Sequence, residues 1–250
     1  MLKTARIDRL SWDSDFFGLE VGRLHASSDI DEQTLEESII ESNLDLIYSS
    51  SEKYSPISIA EPAYKSVFVG DQRLYCTKLS NRNNDERLSS QKIQNWIGKE
   101  LSPQILQLGI EAGALSRYRI DPYFGEEQCD RLYGQWIINS LSGDFAEAVL
   151  VYLDEADLPA ALATLQIKNL HAQIGLISVN ERVRGKGIAT ALIEHVMEFA
   201  SQRKCTELLV STQAENRAAC NLYEKNGFTI KSQEAFSHIW KQRGMSTCEE

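Results

Sequence analysis

The chain contains no run of about 18 or more apolar residues, so none of its segments is suited to crossing a bilayer as a helix. Its opening, Met1-Leu-Lys-Thr-Ala-Arg-Ile-Asp-Arg9, mixes charges and lacks the apolar stretch of a signal peptide, so a cytoplasmic location is the expectation, with no membrane partner. Positive charge is scarce: 26 Lys and Arg stand against 36 Asp and Glu, a net charge of −10. An acidic chain of this kind is a poor ligand for a nucleic-acid backbone. The usual spacing of metal ligands is absent as well. Five cysteines (Cys76, Cys129, Cys205, Cys220, Cys248) form no Cys-x-x-Cys pair, and four histidines (His25, His171, His195, His238) share no ligand spacing. No metal is expected, and the cysteines read as reduced thiols packed as small hydrophobes. Repeats and low-complexity tracts are also missing.

What remains is an ordinary globular composition, 42% hydrophobic and 25% charged over 250 residues. That length accommodates a main domain with a smaller attachment. Residues 1–82 read as a small α/β unit. Leu19–His25 alternates like a strand and Asp31–Ser42 has helical periodicity. Leu44–Tyr48 is a further strand, and Tyr64–Val69 with Arg73–Leu79 reads as a hairpin. The polar stretch from Ser80 to Ser90 has no apolar periodicity and marks a linker, placed at 83–95. From 96 to 250 the expectation is a strand near Lys92–Ile97, helices from Pro103 and from Glu127, and three strands over Ala148–Leu153, Ala160–Ile167 and Gln173–Val179. A helix over Gly185–Gln202, a strand at Glu207–Ser211, a short helix to Lys225, and strands at 228–230 and 237–240 complete it. The fold class expected is α+β (mixed α/β), a mostly antiparallel twisted central sheet flanked by helices.

One stretch carries a chemical signal of its own. Val179-Asn-Glu-Arg-Val-Arg-Gly-Lys-Gly-Ile-Ala-Thr190 lies between a strand and a helix, with Gly185 and Gly187 one residue apart. Glycines there let the backbone turn and leave N–H groups uncovered at a helix start, which suits a phosphate. Arg182, Arg184 and Lys186 add local positive charge; as residues on a turn they also read as solvated surface charge. A dinucleotide-binding turn is disfavoured because Thr190 takes the third small position and Glu207 precedes the next strand. The Gly-Lys-Gly sequence also lacks the spacing of a Walker loop.

Arg182-x-x-Gly185-x-Gly187, followed by Asn216 and Leu222-Tyr223 before Gly227-Phe228, resembles the two hallmark motifs of the GCN5-related N-acetyltransferases (GNAT). The resemblance implies an acetyl-CoA-dependent N-acetyltransferase. Arg182, Arg184, Gly185, Lys186, Gly187, Ile188 and Ala189 would cradle the pyrophosphate. Backbone groups of Ile177, Ser178 and Val179 would meet the thioester and pantetheine arm. Asn216 would lie at that arm, although an N-cap role is the alternative. Tyr223 would protonate the departing thiolate, since a phenol of ordinary pKa ~10 keeps its proton at neutral pH. Alone, an aromatic at that position reads as core.

A narrower likeness runs through Leu10–Gly18, Ser116–Arg119, Tyr133–Trp136 and Ile174–Ile177. It points to GNAT enzymes that acetylate a TDP-linked 4-amino-4,6-dideoxyhexose in polysaccharide biosynthesis. The stretch from Ser49 to Pro62 matches nothing in that pattern. The acceptor would then be a TDP-amino sugar, with the N-terminal unit contributing to its site and Arg117, Tyr118, Arg119 and Tyr123 meeting it. Trp12, Phe16 and Phe17 read either as core or as part of that pocket. The base that frees the amine is open between Asp121 and a water held by Asp13 or Asp15. A protein or small-amine acetyltransferase and a non-catalytic CoA-binding module are the competing readings, and homodimerisation is left open.

Overall fold

A computed structural model describes residues 5–26, 30–51, 63–79 and 92–242. The Ser80–Ser90 linker segment, most of the unmatched 49–62 stretch and Cys248 lie outside the described residues. The chain divides into two compact units, 1–72 with 233–250 and 73–232. This division differs from the one expected at 82: Arg73–Lys78 go with the second unit and the C-terminal residues with the first.

In the first unit, β1 (Ala5–Arg9) pairs antiparallel with β2 (Val21–Ala26), and β2 pairs parallel with β3 (Leu46–Ser51). A parallel pair needs a crossover, supplied by α2 (Glu32–Ser42). Asp31 caps that helix, its carboxylate accepting from the Thr34 N–H at 2.9 Å, and Asn43 ends it in the left-handed region at φ 54°. β3 also pairs antiparallel with the end of β10 (Thr229–Lys241), from Leu46↔Trp240 to Ser51↔Ala235. Leu24, Leu35, Ile39, Ile47, Tyr64 and Ile239 close the small core. A short helix, α1 (Ser11–Phe17), was not expected, and on it Trp12 stacks on Phe16 at 5.1 Å.

Two expectations about strands are corrected. The hairpin over 64–79 is one strand, β4 (Tyr64–Lys78), because Gly70 bends the backbone at φ 102° without reversing it. The two final strands are likewise one, β10, since polar Gln233 and Glu234 sit within a continuous extended segment rather than in a turn.

The second unit orders its strands β4-β9-β8-β7-β6-β5, where β5 is Ile93–Asn95, β6 Ala148–Leu153, β7 Pro159–Lys168, β8 His171–Val179 and β9 Glu207–Gln213. Neighbours from β5 to β8 are antiparallel, while β8 and β9 run parallel around α6 (Ile188–Gln202). Helix α3 (Pro103–Ala112) starts with proline at its first turn and a cap from the Ser102 hydroxyl to the Ile105 N–H. It packs on α5 (Glu126–Leu141), and the approach is close: a Cβ on Gly109 would meet Ile137 at 2.6 Å, and one on Gly113 would meet the Tyr133 ring at 2.3 Å. Helix α6 buries Ile188, Leu192, Ile193, Val196, Met197 and Ala200 along one stripe, each large side chain contributing roughly 1.5–3 kcal/mol. That stripe joins Ile174, Leu208, Val210, Cys220, Tyr223 and Phe228 in the main core.

Candidate active site

The site begins with an irregularity in β8. Pairing with β7 passes from Leu165↔Ile174 to Ala163↔Ile177, so Gly175 and Leu176 together oppose Thr164. Two residues against one make a β-bulge. The Leu176 N–H donates to the buried Thr164 hydroxyl at 2.8 Å, and a Cβ on Gly175 would stand 2.9 Å from that oxygen. Glycine is therefore required by the hydroxyl that repairs the bulge.

The bulge shifts the side-chain alternation of β8. Ala172 and Ile174 face the α6 core before it, and Ile177 and Val179 pack against the same core after it. It also sets the direction of the backbone groups. Leu176 donates toward β7, and Asn180 donates to the Ala160 carbonyl at 2.9 Å. Residues 177 and 179, being out of phase, turn their N–H and C=O groups toward the β9 side. There the parallel pairing ends at Ile174↔Val210, although β8 runs on to Val179 and β9 to Gln213. Among the described residues, the N–H groups of Ile177 and Val179 at this strand end have no strand partner, while the Val179 carbonyl is taken by Arg184. Ser178 instead points its backbone at β7.

Beyond the strand, Asn180 accepts from the Arg182 N–H at 3.1 Å and starts a short 3-10 turn, Glu181–Val183. Arg184 Nε donates to the Val179 carbonyl at 2.8 Å, tying the turn back to the strand. Gly185 and Gly187 both adopt left-handed backbone, at φ 76° and 78°, with nothing within 4 Å of where a Cβ would lie. Packing therefore does not demand these glycines; backbone conformation does, and so does an unobstructed approach from outside. Gly187 is the N-cap of α6 and offers no side-chain acceptor; the first helical bond is Ala191 N–H to the Gly187 carbonyl. Among the described residues, the N–H groups of Gly185, Lys186, Gly187, Ile188, Ala189 and Thr190 have no hydrogen-bond partner. Six consecutive free donors stand at a helix start beside the exposed side chains of Arg182 and Lys186, an arrangement whose partial positive charge favours an anion.

Helix α7 (Arg217–Lys225) stands beside it. Asn216 is its N-cap, with Oδ1 accepting from the Ala219 N–H at 3.1 Å. That is the structural alternative for this residue, and among the described residues the Nδ2 donors of Asn216 have no partner. At the other end Asn226 Nδ2 donates to the Leu222 carbonyl at 2.7 Å and reaches Thr190 Oγ1 at 3.5 Å, linking α7 to the first turn of α6. Tyr223 is 2% exposed, its ring 5.6 Å from Tyr75 and 5.7 Å from Phe228. Its hydroxyl has no hydrogen-bond partner among the described residues. Burial raises its pKa above the ordinary phenol value, with smaller contributions from Cys220 and Tyr75.

The four residues expected to meet an acceptor are dispersed in role. All lie on or just after a four-residue helix, α4 (Arg117–Ile120). Tyr118 is core, edge-on to Phe124 and Trp136, and the Arg117 guanidinium lies 4.9 Å over its ring. Arg119 forms an ion pair with Asp130. Tyr123 is 44% exposed. Of the suggested bases, Asp121 is 1% exposed and accepts from the Tyr123 N–H at 2.9 Å, a turn-forming role. Asp13 and Asp15 lie on α1. Sequence reasoning missed Thr164, Gly175, Tyr75 and Glu224. Their signals are pairings across strands and helices, not local motifs.

Residues 113–228, a little under half of the chain, match the Acetyltransferase (GNAT) family. Two curated relatives are similar to it. One is the dTDP-fucosamine acetyltransferase of Escherichia coli, 30% identical over 131 residues, covering 52% of this chain and 55% of that protein. The other is the spore coat polysaccharide biosynthesis protein SpsD of Bacillus subtilis, 27% identical over 136 residues, covering 54% of this chain and 46% of that protein. The chain spans about half the length of these relatives. Among solved structures, an acetyltransferase from the GNAT family of Novosphingobium aromaticivorans covers 88% of this chain and 84% of its own at TM-score 0.55 and 16% identity, a likeness of fold.

Proposed function

We propose that the protein transfers the acetyl group of acetyl-CoA to the amine of a nucleotide-linked amino sugar, a TDP-4-amino-4,6-dideoxyhexose. The observation that carries the first half is the row of free N–H groups from Gly185 to Thr190, which suits the pyrophosphate of CoA. The second half rests on similarity to the E. coli dTDP-fucosamine acetyltransferase and to a polysaccharide biosynthesis protein.

In this reading the backbone N–H groups of Ile177 and Val179 face the thioester at the open end of β8. An N–H aimed at the carbonyl oxygen stabilises charge that grows as the amine attacks, and such a donor is worth ~10²- to 10³-fold in rate. The attacking nitrogen forms its bond to the acetyl carbon as the carbon–sulfur bond breaks, the electron pair leaves on sulfur, and the proton shed by the nitrogen passes to solvent. Tyr223 donates to that sulfur. Its raised pKa guarantees a proton across neutral pH, but full transfer to a thiolate of parent pKa ~8.5 is uphill. The phenol therefore works chiefly as a hydrogen-bond donor while the charge develops, with the proton passing as the bond breaks. In this reading Asn216 Nδ2 donates to the pantetheine arm, while its Oδ1 caps α7. Tyr123, the exposed member of the α4 group, is the one assigned to the acceptor.

The test is thiol release from acetyl-CoA in the presence of TDP- and UDP-linked amino sugars, free amino sugars, small amines and peptides. The expected result is selective turnover with a TDP-linked 4-amino sugar. Turnover confined to peptides or small amines would replace the acceptor, and binding of acetyl-CoA without any turnover would favour a non-catalytic CoA module.

A further inference from the structure

Helix α7 is only nine residues long, too short to hold its own conformation in water, so its rotation about its axis must be fixed by neighbours. Two consecutive residues of its last turn, Tyr223 and Glu224, meet one residue of β4. The Tyr75 ring packs 5.6 Å from the Tyr223 ring at 52°, and the Tyr75 hydroxyl donates to Glu224 Oε1 at 2.9 Å. Tyr75 is fully buried, so its hydroxyl must find partners, and the one it donates to at 2.9 Å is the neighbour of Tyr223. Successive helical residues point about 100° apart. A rotation of α7 that re-aimed Tyr223 would also pull Glu224 away from Tyr75. Ring packing alone would permit that slip; the added hydrogen bond to a carboxylate does not.

We propose that Tyr75 is a positioning residue for Tyr223, fixing the aim of its hydroxyl through the Tyr75–Glu224 hydrogen bond; this rests on the acetyl-transfer reading above. Arg73 and Cys220 also interact with the Tyr75 side chain, and Arg73 Nη1 approaches Cys220 Sγ at 3.8 Å. Cys220 lies on α7 itself, one turn before Tyr223, so its contact with Tyr75 acts on the same helix as the Glu224 bond.

The experiment compares Tyr75→Phe, which keeps the ring and removes the hydroxyl, with Glu224→Ala, Glu224→Gln and the Tyr75→Phe/Glu224→Ala pair. Glutamine still offers an oxygen, whereas alanine does not. Two readouts are taken: kcat and KM for acetyl-CoA, and the ring-carbon NMR signal of labelled Tyr223, which needs no turnover. Tyr75→Phe and Glu224→Ala are each expected to lower kcat about tenfold with KM changed by less than about twofold, and to move the Tyr223 signal. The pair should be no worse than either single change, and Glu224→Gln should lose at most about twofold. An unmoved Tyr223 signal in both single variants would overturn the proposal, as would losses that add in the pair. If no amine is acetylated by the unmodified protein, the catalytic reading fails, and the NMR arm alone still decides the clamp.

Discussion

Replacing Gly187 by alanine separates the two demands made on that position. Its φ of 78° lies where an L side chain costs roughly 1–2 kcal/mol, and no protein atom stands within 4 Å of the new Cβ, so strain is the whole of the cost to the free protein. For a unit of this size that lowers the midpoint of thermal unfolding by roughly 2–4 °C per kcal/mol. Ligand binding should suffer separately, because the methyl group projects into the open side where an anion must approach the N–H row. Losing one hydrogen bond to a charged group is worth roughly 1.5–3 kcal/mol, or at least about tenfold in affinity. Gly143→Ala is the control: φ is 88°, again with nothing within 4 Å, but the residue lies just past the end of α5. The two variants should lose similar stability by calorimetry, and only Gly187→Ala should lose acetyl-CoA affinity by titration. Equal affinity in both would refute the cradle.

Thr164→Val removes the acceptor of the Leu176 N–H inside the bulge and should cost roughly 1–3 kcal/mol, read as a lower unfolding midpoint. Asn216→Ser keeps a capping oxygen, so the unfolding midpoint should hold while acetyl-CoA affinity falls several-fold; an unchanged affinity would leave Asn216 as a cap alone. Glu207 is held below its ordinary pKa, first by the hydrogen bond from Lys231 and then by the Cys76 thiol. A depressed carboxylate contributes stability above its unfolded pKa of about 4.3 and loses it as pH falls through the folded value. With His171 Nδ1 also 3.0 Å from Glu207 Oε1, the gap in unfolding midpoint between the unmodified protein and Glu207→Gln should therefore be present from neutral pH to about pH 5 and close below that.

The cradle could be read directly from the chain because Gly-x-Gly states a local backbone requirement, and both glycines do take positive φ. Tyr223 was readable through its motif, but its raised pKa was not, since that depends on burial to which Tyr75 contributes from β4. The bulge was hidden for the same reason: Thr164 and Gly175 are eleven residues apart, and only pairing of β7 with β8 brings them together. Arg119 read as a free cation because Asp130, its partner, lies on the following helix. Gly70-Asp71 looked like a turn, and only the paired strands around it keep β4 extended.

The most direct measurement is CoA release with a TDP-linked 4-amino-4,6-dideoxyhexose, made on the unmodified protein and on Tyr223→Phe. The account predicts turnover by the former and a kcat lower by ~10²-fold or more in the variant, with acetyl-CoA affinity little changed. Equal kcat in the two proteins would contradict the role given to Tyr223, and no acetylated sugar from either would contradict the function.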